Sequence, residues 1–329
     1  MKSAIKSART LLSDTAVAAV LSFALPPADA QAPKAAAIVQ TPVPPGTMPK
    51  ASPDQPYVYR KVSDNLYVVA EIHQPYPKHE INNPVHTQTM PFVIGSRKAA
   101  IIDTGLGLAD LRSFLEQFTD LPIIVLNTHG HPDHVGANQL FDMSYIARED
   151  EKAMLSVTRE MRLNGYKNMF MPGNEAMIAF AERHMVADRP FKYGFIQDGD
   201  KIDLGGVELE VVAFPGHSPG SVAFLDRRDG VAFTGDSILF RVGLGNRERV
   251  AQYLKSLERF AERSKGIEVI INGHQWEPMN RYDMEELRIL ATGILNGTIK
   301  GVPDHHLKSM IYFFGWKRIS LTRAYQAPK

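Results

Sequence analysis

Short apolar runs alternate with amphipathic segments along most of the chain. Runs rich in β-branched and aromatic residues that end near Gly or Asp predict strands over residues 66–70, 91–94, 99–102, 122–126, 207–214, 221–225, 231–233 and 267–271. Helical spacing of apolar residues predicts helices over 108–118, 247–264 and 284–295, and a mostly helical stretch over 147–187. Strands and helices interleaved in this way predict a layered α/β architecture.

The N-terminal segment has a different pattern and is not expected to join the fold. Residues 1–10 carry three basic side chains, a mostly apolar run follows over 15–25, and small residues lead to Ala30. This order is typical of a secretory signal peptide, here residues 1–30, that is cleaved after Ala30. An uncleaved membrane anchor is the alternative, but this run of about 11 residues is shorter than the roughly 20 that a spanning helix needs.

The next segment, residues 31–56, is rich in Ala, Pro, Thr and Gln, which predicts an extended linker. One domain is therefore expected over 57–329. Signal cleavage predicts a periplasmic or secreted protein with no stable membrane anchor.

Charge and cysteine content narrow the possible functions. The chain has 37 basic and 36 acidic residues, and removal of residues 1–30 would leave 34 of each. No nucleic-acid partner is expected, because nucleic-acid binders usually carry a strongly basic domain or stripe. The absence of cysteine excludes disulfides, thiolate zinc sites and a cysteine nucleophile.

A histidine-rich loop follows the strand predicted to end at residue 126. Residues 127–134 read NTHGHPDH, and the glycine and proline in this segment exclude a regular helix. In extended backbone the side chains of residues i and i+2 point the same way, so His129 and His131 can bind one ion. Asp133 and His134 lie farther along and can turn toward a neighbouring ion.

Four more polar residues follow apolar runs, each with a glycine close by: Asp103, His217, Asp236 and His274. Ligand sites in α/β sheets form outside the carboxyl ends of strands. We therefore expect these side chains to meet the histidine-rich loop at one edge of a sheet.

The residues in this order resemble those of the metallo-β-lactamase superfamily, over about residues 57–275. The resemblance rests on His129-x-His131-x-Asp133-His134 followed by His217, Asp236 and His274, with Asp103 in an aspartate–threonine–glycine turn. It implies an αββα sandwich with two metals at one edge. The domain would carry a helical insert at about 147–190 and a C-terminal extension at about 275–329.

The resemblance also implies a role for each polar residue. One ion would be held by His129, His131 and His217, and the other by Asp133, His134 and His274. Asp236 would bridge the two ions, and Asp103 would support the loop from behind.

The implied ligand set indicates a hydrolase. Seven nitrogen and oxygen ligands are too many for one tetrahedral zinc and suit a pair of divalent ions. Zinc is the expected metal, with iron or manganese as alternatives. Two ions about 3.5–4 Å apart can share a water and lower its pKa toward 7. The resulting bridging hydroxide would attack an acyl carbon or a phosphorus, and Asp133 could pass a proton to the leaving group.

Fold and metal loop do not determine the substrate, since this superfamily cleaves β-lactams, lactones, thioesters, sulfate esters and phosphodiesters. Asp236 stands where β-lactamases usually carry Cys or Ser, and its turn is more similar to those of glyoxalase II and lactonases. The expected export argues against glyoxalase II itself, whose glutathione thioester is cytoplasmic. We therefore favour cleavage of a small-molecule ester, lactone or related acyl bond. The alternatives are a β-lactamase, an iron-dependent oxidoreductase and a metal-binding protein without turnover.

Two other groups of residues have structural interpretations. The insert contains six methionines, which could form a lid over an acyl chain but are better explained by helix packing: Met154, Met161, Met169, Met171, Met177 and Met185. Of the remaining histidines, His73, His79 and His86 are expected in a surface loop, although the resemblance also allows that loop to border the active site. His305 and His306 are explained by an exposed C-terminal turn or by adventitious metal binding, and His184 has no assigned role.

Overall fold

The computed structural model describes residues 56–72, 87–169, 175–305 and 308–322. They all belong to one unit that spans Val39–Lys329. The expected signal peptide lies outside the described residues, as does the expected linker apart from its last residue. None of the helices in the described part is long and apolar enough to cross a membrane.

The first sheet runs in chain order. Among the described residues it consists of β1 (Tyr57–Lys61), β2 (Leu66–Ile72), β3 (Thr87–Ile94), β4 (Ala99–Ile102), β5 (Ile123–Leu126), β6 (Ser144–Ala147) and β7 (Tyr193–Ile196). Strands β1 to β4 pair antiparallel, and β4 to β7 pair parallel. The carboxyl ends of β4, β5 and β6 therefore lie at one edge of the sheet, where the histidine-rich loop begins.

Two further sheets follow. The remaining described strands are β8 (Lys201–Asp203), β9 (Glu208–Ala213), β10 (Val222–Asp226), β11 (Val231–Phe233), β12 (Arg241–Gly243), β13 (Val269–Ile271), β14 (Val302–Asp304), β15 (Ser309–Phe314) and β16 (Lys317–Leu321). The second sheet has the order β13-β11-β10-β9-β8, and the third has the order β12-β16-β15-β14. Strands β11 and β13 are parallel, so their carboxyl ends also share an edge.

Local side chains define the ends of the helices. The helices are α1 (Leu111–Leu115), α2 (Glu151–Leu155), α3 (Arg159–Met169), α4 (Glu175–His184), α5 (Arg247–Arg263) and α6 (Arg281–Asn296). The side chain of Asn246 accepts a hydrogen bond from the backbone N–H of Arg249 at the start of α5. Asn280 and Asp283 form a reciprocal capping box on α6, which ends at Gly297 with φ of +78°.

The two large sheets pack face to face through alternating apolar residues. Val68 and Leu126 of the first sheet share one buried cluster with Val211 and Phe224 of the second. Side chains alternate across a strand, so the neighbouring residues face outward into two other clusters. Full burial of such a side chain is worth about 1.5–3 kcal/mol relative to leaving it exposed.

Helices cover both outer faces of this pair of sheets. On the first sheet, Val69 and Ile101 pack with Leu111 and Phe114 of α1. On the second, Val212 and Leu225 lie in a cluster with residues of α5, α6 and the third sheet, among them Leu257, Leu287 and Ile319. The predicted αββα sandwich is therefore confirmed.

Several elements differ from the sequence prediction. The helix predicted over 108–118 is only α1, which begins after Asp110, whose side chain accepts a hydrogen bond from the backbone N–H of Ser113. The third sheet was not predicted, and it integrates the C-terminal segment: β16 pairs with β12, and α6 shares a core cluster with α5.

The helical insert is packed against the sandwich where it is described. Met154, Met177 and Met185 are buried in it, whereas Met161 is exposed. The side chains of Met169 and Met171 lie outside the described residues. The three buried methionines therefore support the packing interpretation.

Candidate metal centre

The structure brings the seven candidate side chains together at one edge of the sandwich. They follow the ends of β5, β9, β11 and β13, as the sequence predicted. Their ligand atoms form three overlapping groups, each within 4.8 Å: His129, His131 and His217; His129, His134 and Asp236; and Asp133, His134 and His274. The shared members make the three groups one continuous site.

Hydrogen bonds assign the tautomers of two of the histidines. The hydroxyl of Thr128 donates its one proton to Oδ2 of Asp103 at 2.7 Å, so it must accept from Nδ1 of His129 at 3.1 Å. Nδ1 of His217 donates to the carbonyl oxygen of Gly243 at 2.9 Å. With the proton on Nδ1, the neutral form of each ring carries a lone pair on Nε2.

These lone pairs converge. Nε2 of His129 lies 3.1 Å from Nδ1 of His131, and Nε2 of His217 lies 2.9 Å from the same atom. At most one proton, on His131, is available to the three nitrogens. A cation among them would satisfy all three, which is the geometry that a three-imidazole metal site requires.

Two of these imidazoles, those of His129 and His131, are neutral near pH 7, as metal ligation requires. Burial, reinforced by the neighbouring imidazoles, lowers the pKa of His129 well below its usual range. Burial and the proximity of His217 lower the pKa of His131 to about 4.

The second part of the centre is rich in carboxylates. Nδ1 of His134 donates to Oδ2 of Asp103 at 2.9 Å, and its Nε2 lies 3.3 Å from Oδ1 of Asp236. Both atoms of that second pair are buried, and neither makes a well-formed hydrogen bond within the described residues. Buried polar atoms of this kind need a partner, and a cation between the imidazole and the carboxylate would supply one.

The negative charge of the carboxylates around His134 also favours a bound cation. Burial opposes the charged form of His134, but Asp236, Asp133 and Asp103 outweigh it and raise the pKa of His134 well above its usual range. Burial would raise the pKa values of Asp236 and Asp133, yet His134 and His274 lower both. The two carboxylates are therefore ionised and attract positive charge.

Asp133 is the more accessible of these two carboxylates. Its side chain is 30% exposed, against 9% for Asp236. Oδ2 of Asp133 accepts a hydrogen bond from Nε2 of Gln88 at 3.0 Å and lies 3.5 Å from Nε2 of His274. It can reach both the centre and a ligand that enters from outside.

Asp150, which joins two histidine-bearing loops, was not predicted from the sequence. This buried carboxylate accepts hydrogen bonds from Gly130 N at 2.9 Å, Ser218 Oγ at 2.6 Å and Gly220 N at 2.8 Å. These three hydrogen bonds hold the loop of His131 and the loop of His217 in fixed positions relative to each other. Asp150 follows β6, a strand that was not predicted, so the signal that located the other site residues was absent.

A glycine allows the closest packing within the centre. A Cβ on Gly273 would lie 2.7 Å from Cε1 of His134 and 2.9 Å from Oδ1 of Asp236. Real Cβ atoms do not approach other atoms so closely, so only glycine fits beside these two side chains.

The other histidines do not enter the centre where they are described. The ring of His184 stacks on Phe180 with 4.4 Å between ring centroids, and His305 is exposed. His73, His79, His86 and His306 lie outside the described residues.

Comparison with known proteins agrees with this geometry. The family model described as the metallo-beta-lactamase superfamily matches residues 87–274. The chain is 28% identical to the acyl-coenzyme A thioesterase MBLAC2 of Gallus gallus over 225 residues, covering 62% of this chain and 76% of that protein. It is 33% identical to the hydroxyacylglutathione hydrolase GloC of Haemophilus influenzae over 158 residues, 45% of this chain and 65% of that protein.

Two further similarities concern a different reaction and the fold. The chain is 29% identical to the human mitochondrial persulfide dioxygenase ETHE1 over 162 residues, 46% of this chain and 49% of that protein. A beta-lactamase domain protein from Burkholderia ambifaria has a similar structure, with a TM-score of 0.53 and 20% identity over 73% of this chain and 75% of that chain. At that identity the structural similarity concerns the fold alone.

Proposed function

Because the chain belongs to the metallo-β-lactamase superfamily, we propose that it is a dinuclear metal-dependent hydrolase that cleaves an acyl bond of a small molecule. The bond is an ester, lactone or thioester. The observation that carries this proposal is the convergence of imidazole lone pairs and ionised carboxylates at one edge of the sandwich. No nucleic-acid partner is part of the proposal.

The proposed ligand sets follow the groups in the structure. His129, His131 and His217 would hold one ion, and Asp133, His134 and His274 would hold the other. Asp236 lies where it could serve both: its Oδ2 lies 3.4 Å from Nε2 of His217 in the first set, and its Oδ1 lies 3.3 Å from Nε2 of His134 in the second. Zinc is the proposed metal, with iron or manganese as alternatives, because nitrogen and oxygen ligands without thiolate accept all three.

The chain's own residues orient the ligands and move the proton. Two divalent ions held in this way would polarise a carbonyl and lower the pKa of water. Asp103, Thr128 and the carbonyl of Gly243 orient the rings of His134, His129 and His217, respectively, so that Nε2 of each faces the centre. Asp133, ionised and partly exposed, accepts a proton from the attacking water and passes it to the leaving oxygen, nitrogen or sulfur.

The choice of an acyl bond rests on Asp236 and on the relatives. Asp236 offers a bridging carboxylate where the sequence analysis expects Cys or Ser in a β-lactamase. Two of the relatives are thioester hydrolases by name. Rates for a matched thioester, aryl ester, lactone and nitrocefin test this choice: faster cleavage of an acyl substrate supports it, and preferential cleavage of nitrocefin makes the protein a β-lactamase.

Similarity to the persulfide dioxygenase ETHE1 favours one other candidate, an iron-dependent oxidoreductase. Neutral imidazoles beside a carboxylate bind iron as well as zinc. Oxygen uptake by the iron-loaded protein in the presence of a persulfide, without hydrolysis of any acyl substrate, would establish this alternative.

Export is the last part of the proposal. It rests on the signal-type pattern of residues 1–30. N-terminal sequencing of the protein recovered from periplasm or medium should begin at Gln31. Full-length protein confined to the cytoplasm would contradict export and leave the hydrolase proposal intact.

A further inference from the structure

An open cleft of about 440 Å³ adjoins the metal centre. His131, a member of the three-histidine group, lines this cleft, so the cleft and the centre are continuous. Residues of α2 and the loop at Ser218 and Pro219 form other parts of the wall. The volume lies within the range of small-molecule sites, which is roughly 300–1,000 Å³.

Two basic side chains line this cleft. Arg249, in the first turn of α5, is half-buried, and its Nη1 donates to the carbonyl oxygen of His217 at 2.9 Å. Lys152 of α2 is exposed. Within the described part of the chain, neither side chain forms an ion pair with Asp or Glu.

Two acidic residues also line the cleft, but neither pairs with these cations in the described part of the chain. Asp150 is buried and already accepts three hydrogen bonds from the neighbouring loops. Glu149 also lines the cleft, but it is exposed and pairs with neither cation in the described part of the chain. The formal charges of the cleft therefore cancel, but within the described residues neither cation is paired with a carboxylate, so Lys152 and the remaining N–H groups of Arg249 are available to bind an anion.

We propose that Lys152 and Arg249 form a subsite for an anionic group of the substrate, a carboxylate or a phosphate, in the cleft beside His131. The guanidinium already bonded to His217 presents its other N–H groups in a fixed position, which suits planar anions. Lys152 adds a mobile point charge on the opposite element. The subsite rests on the proposed function, in that it selects acyl substrates whose leaving thiol or alcohol carries negative charge.

Three thioesters with one acyl group test the subsite. The leaving thiols are coenzyme A, which carries phosphates, glutathione, which carries carboxylates, and neutral N-acetylcysteamine. Lys152→Ala should raise KM for the anionic substrates about two- to fivefold, the size of one exposed ion pair, and Lys152→Glu should raise it further. KM for the neutral thioester should not change.

Matched controls separate the cleft from general charge effects. Lys201→Ala removes an exposed lysine of β8, outside this cleft, and should leave all three KM values unchanged. Arg249 is left intact because it supports the loop of His217. Added salt should weaken the preference of the unaltered protein for anionic thioesters, because exposed charges are screened.

Direct binding separates this inference from the reaction. Titration calorimetry with S-methyl-coenzyme A and S-methylglutathione, which are not cleaved, should show binding that Lys152→Glu abolishes; the probe that binds identifies the anion. If no thioester, ester or lactone is cleaved but such binding is seen, the proposed function is wrong and the subsite stands. If Lys152→Glu changes neither binding nor the ratio of anionic to neutral KM, the subsite is overturned even when hydrolysis is fast.

Discussion

Oδ2 of Asp103 accepts a hydrogen bond from Nδ1 of His134 at 2.9 Å. The backbone φ of Asp103 is +63°. The same carboxylate accepts from both the backbone N–H and the hydroxyl of Thr128, each at 2.7 Å. Since that hydroxyl in turn accepts from His129, one aspartate orients two imidazoles of the centre. Its left-handed backbone, unusual outside glycine, places the carboxylate behind the loop.

Asp103→Asn should weaken metal binding about 10- to 100-fold, because an amide nitrogen in place of Oδ2 cannot accept from His134. Asn tolerates the left-handed backbone, so the effect isolates the carboxylate. Competition with a chromophoric chelator measures the affinity. Asp142→Asn, at an aspartate whose side chain is 82% exposed, is the control and should bind metal normally. Equal affinities in both variants would contradict the role of Asp103.

Asp150→Asn should loosen one ion selectively. The amide can no longer accept all three hydrogen bonds that join the loops of His131 and His217, whereas it touches neither Asp133 nor His274. The cobalt-substituted Asp150→Asn variant is titrated with chelator. It should lose the ion of the His129, His131 and His217 set at a lower chelator concentration than the unaltered protein does, and it should retain the other ion at that concentration. Simultaneous loss of both ions would show that Asp150 acts on the whole fold instead.

Asp133→Asn should lower kcat about 100-fold or more at full metal loading, because the amide cannot accept the proton of the attacking water. Metal content is measured on the same sample, since Asp133 is also a proposed ligand. A substrate with a leaving group of low pKa needs less proton transfer and should lose less rate. Full activity of the loaded variant would remove Asp133 from the mechanism.

The carboxyl group of Glu210 should make the free energy of unfolding depend on pH in the acid range. Burial would raise its pKa, but hydrogen bonds from Arg263 and Arg227 outweigh burial and lower it. A carboxyl whose pKa is lower in the folded protein than in the unfolded chain stabilises the fold at pH values above 4.5, its ordinary pKa. This stabilisation is lost as the pH falls through the pKa of the folded state. Denaturant unfolding of Glu210→Gln should show a loss of about 1 kcal/mol at pH 7 that shrinks toward zero as pH is lowered below 4.5. A loss that does not depend on pH would indicate packing instead of charge.

Gly273→Ala should disrupt the centre, because its Cβ would collide with His134 and Asp236. We expect metal affinity to fall together with the thermal stability of the metal-loaded protein. Gly165→Ala in α3 is the matched control: its Cβ meets no atom within 4 Å, and removing glycine from a helix interior should stabilise by about 0.5–1 kcal/mol. An unchanged metal affinity in Gly273→Ala would contradict the close packing.

The apolar pattern predicted the elements that are buried on both sides. Strands β4 and β11 are apolar throughout and were located by their sequence. Strand β7 was missed because only its last residue is buried, β8 because it has only three residues and none is buried, and β12 because only its central residue is buried. Long-range pairing with β16, not local sequence, makes β12 a strand.

The same contrast holds at the centre. His129, His217, Asp236 and His274 were found because each follows an apolar strand. Thr128 and Asp150 act through hydrogen bonds to residues that are distant in the chain or to backbone atoms, such as Thr128 to Asp103 and Asp150 to Gly220. Such hydrogen bonds cannot be predicted from the spacing of residues along the sequence.

Metal stoichiometry and hydrolysis measured on one sample test the central claim most directly. The protein is stripped with chelator and titrated with zinc while bound metal and cleavage of a thioester are followed together. We expect no turnover without metal, two zinc ions per chain at saturation, and full activity only when both are bound. Full hydrolytic activity without metal, or saturation without any acyl hydrolysis, would contradict the account.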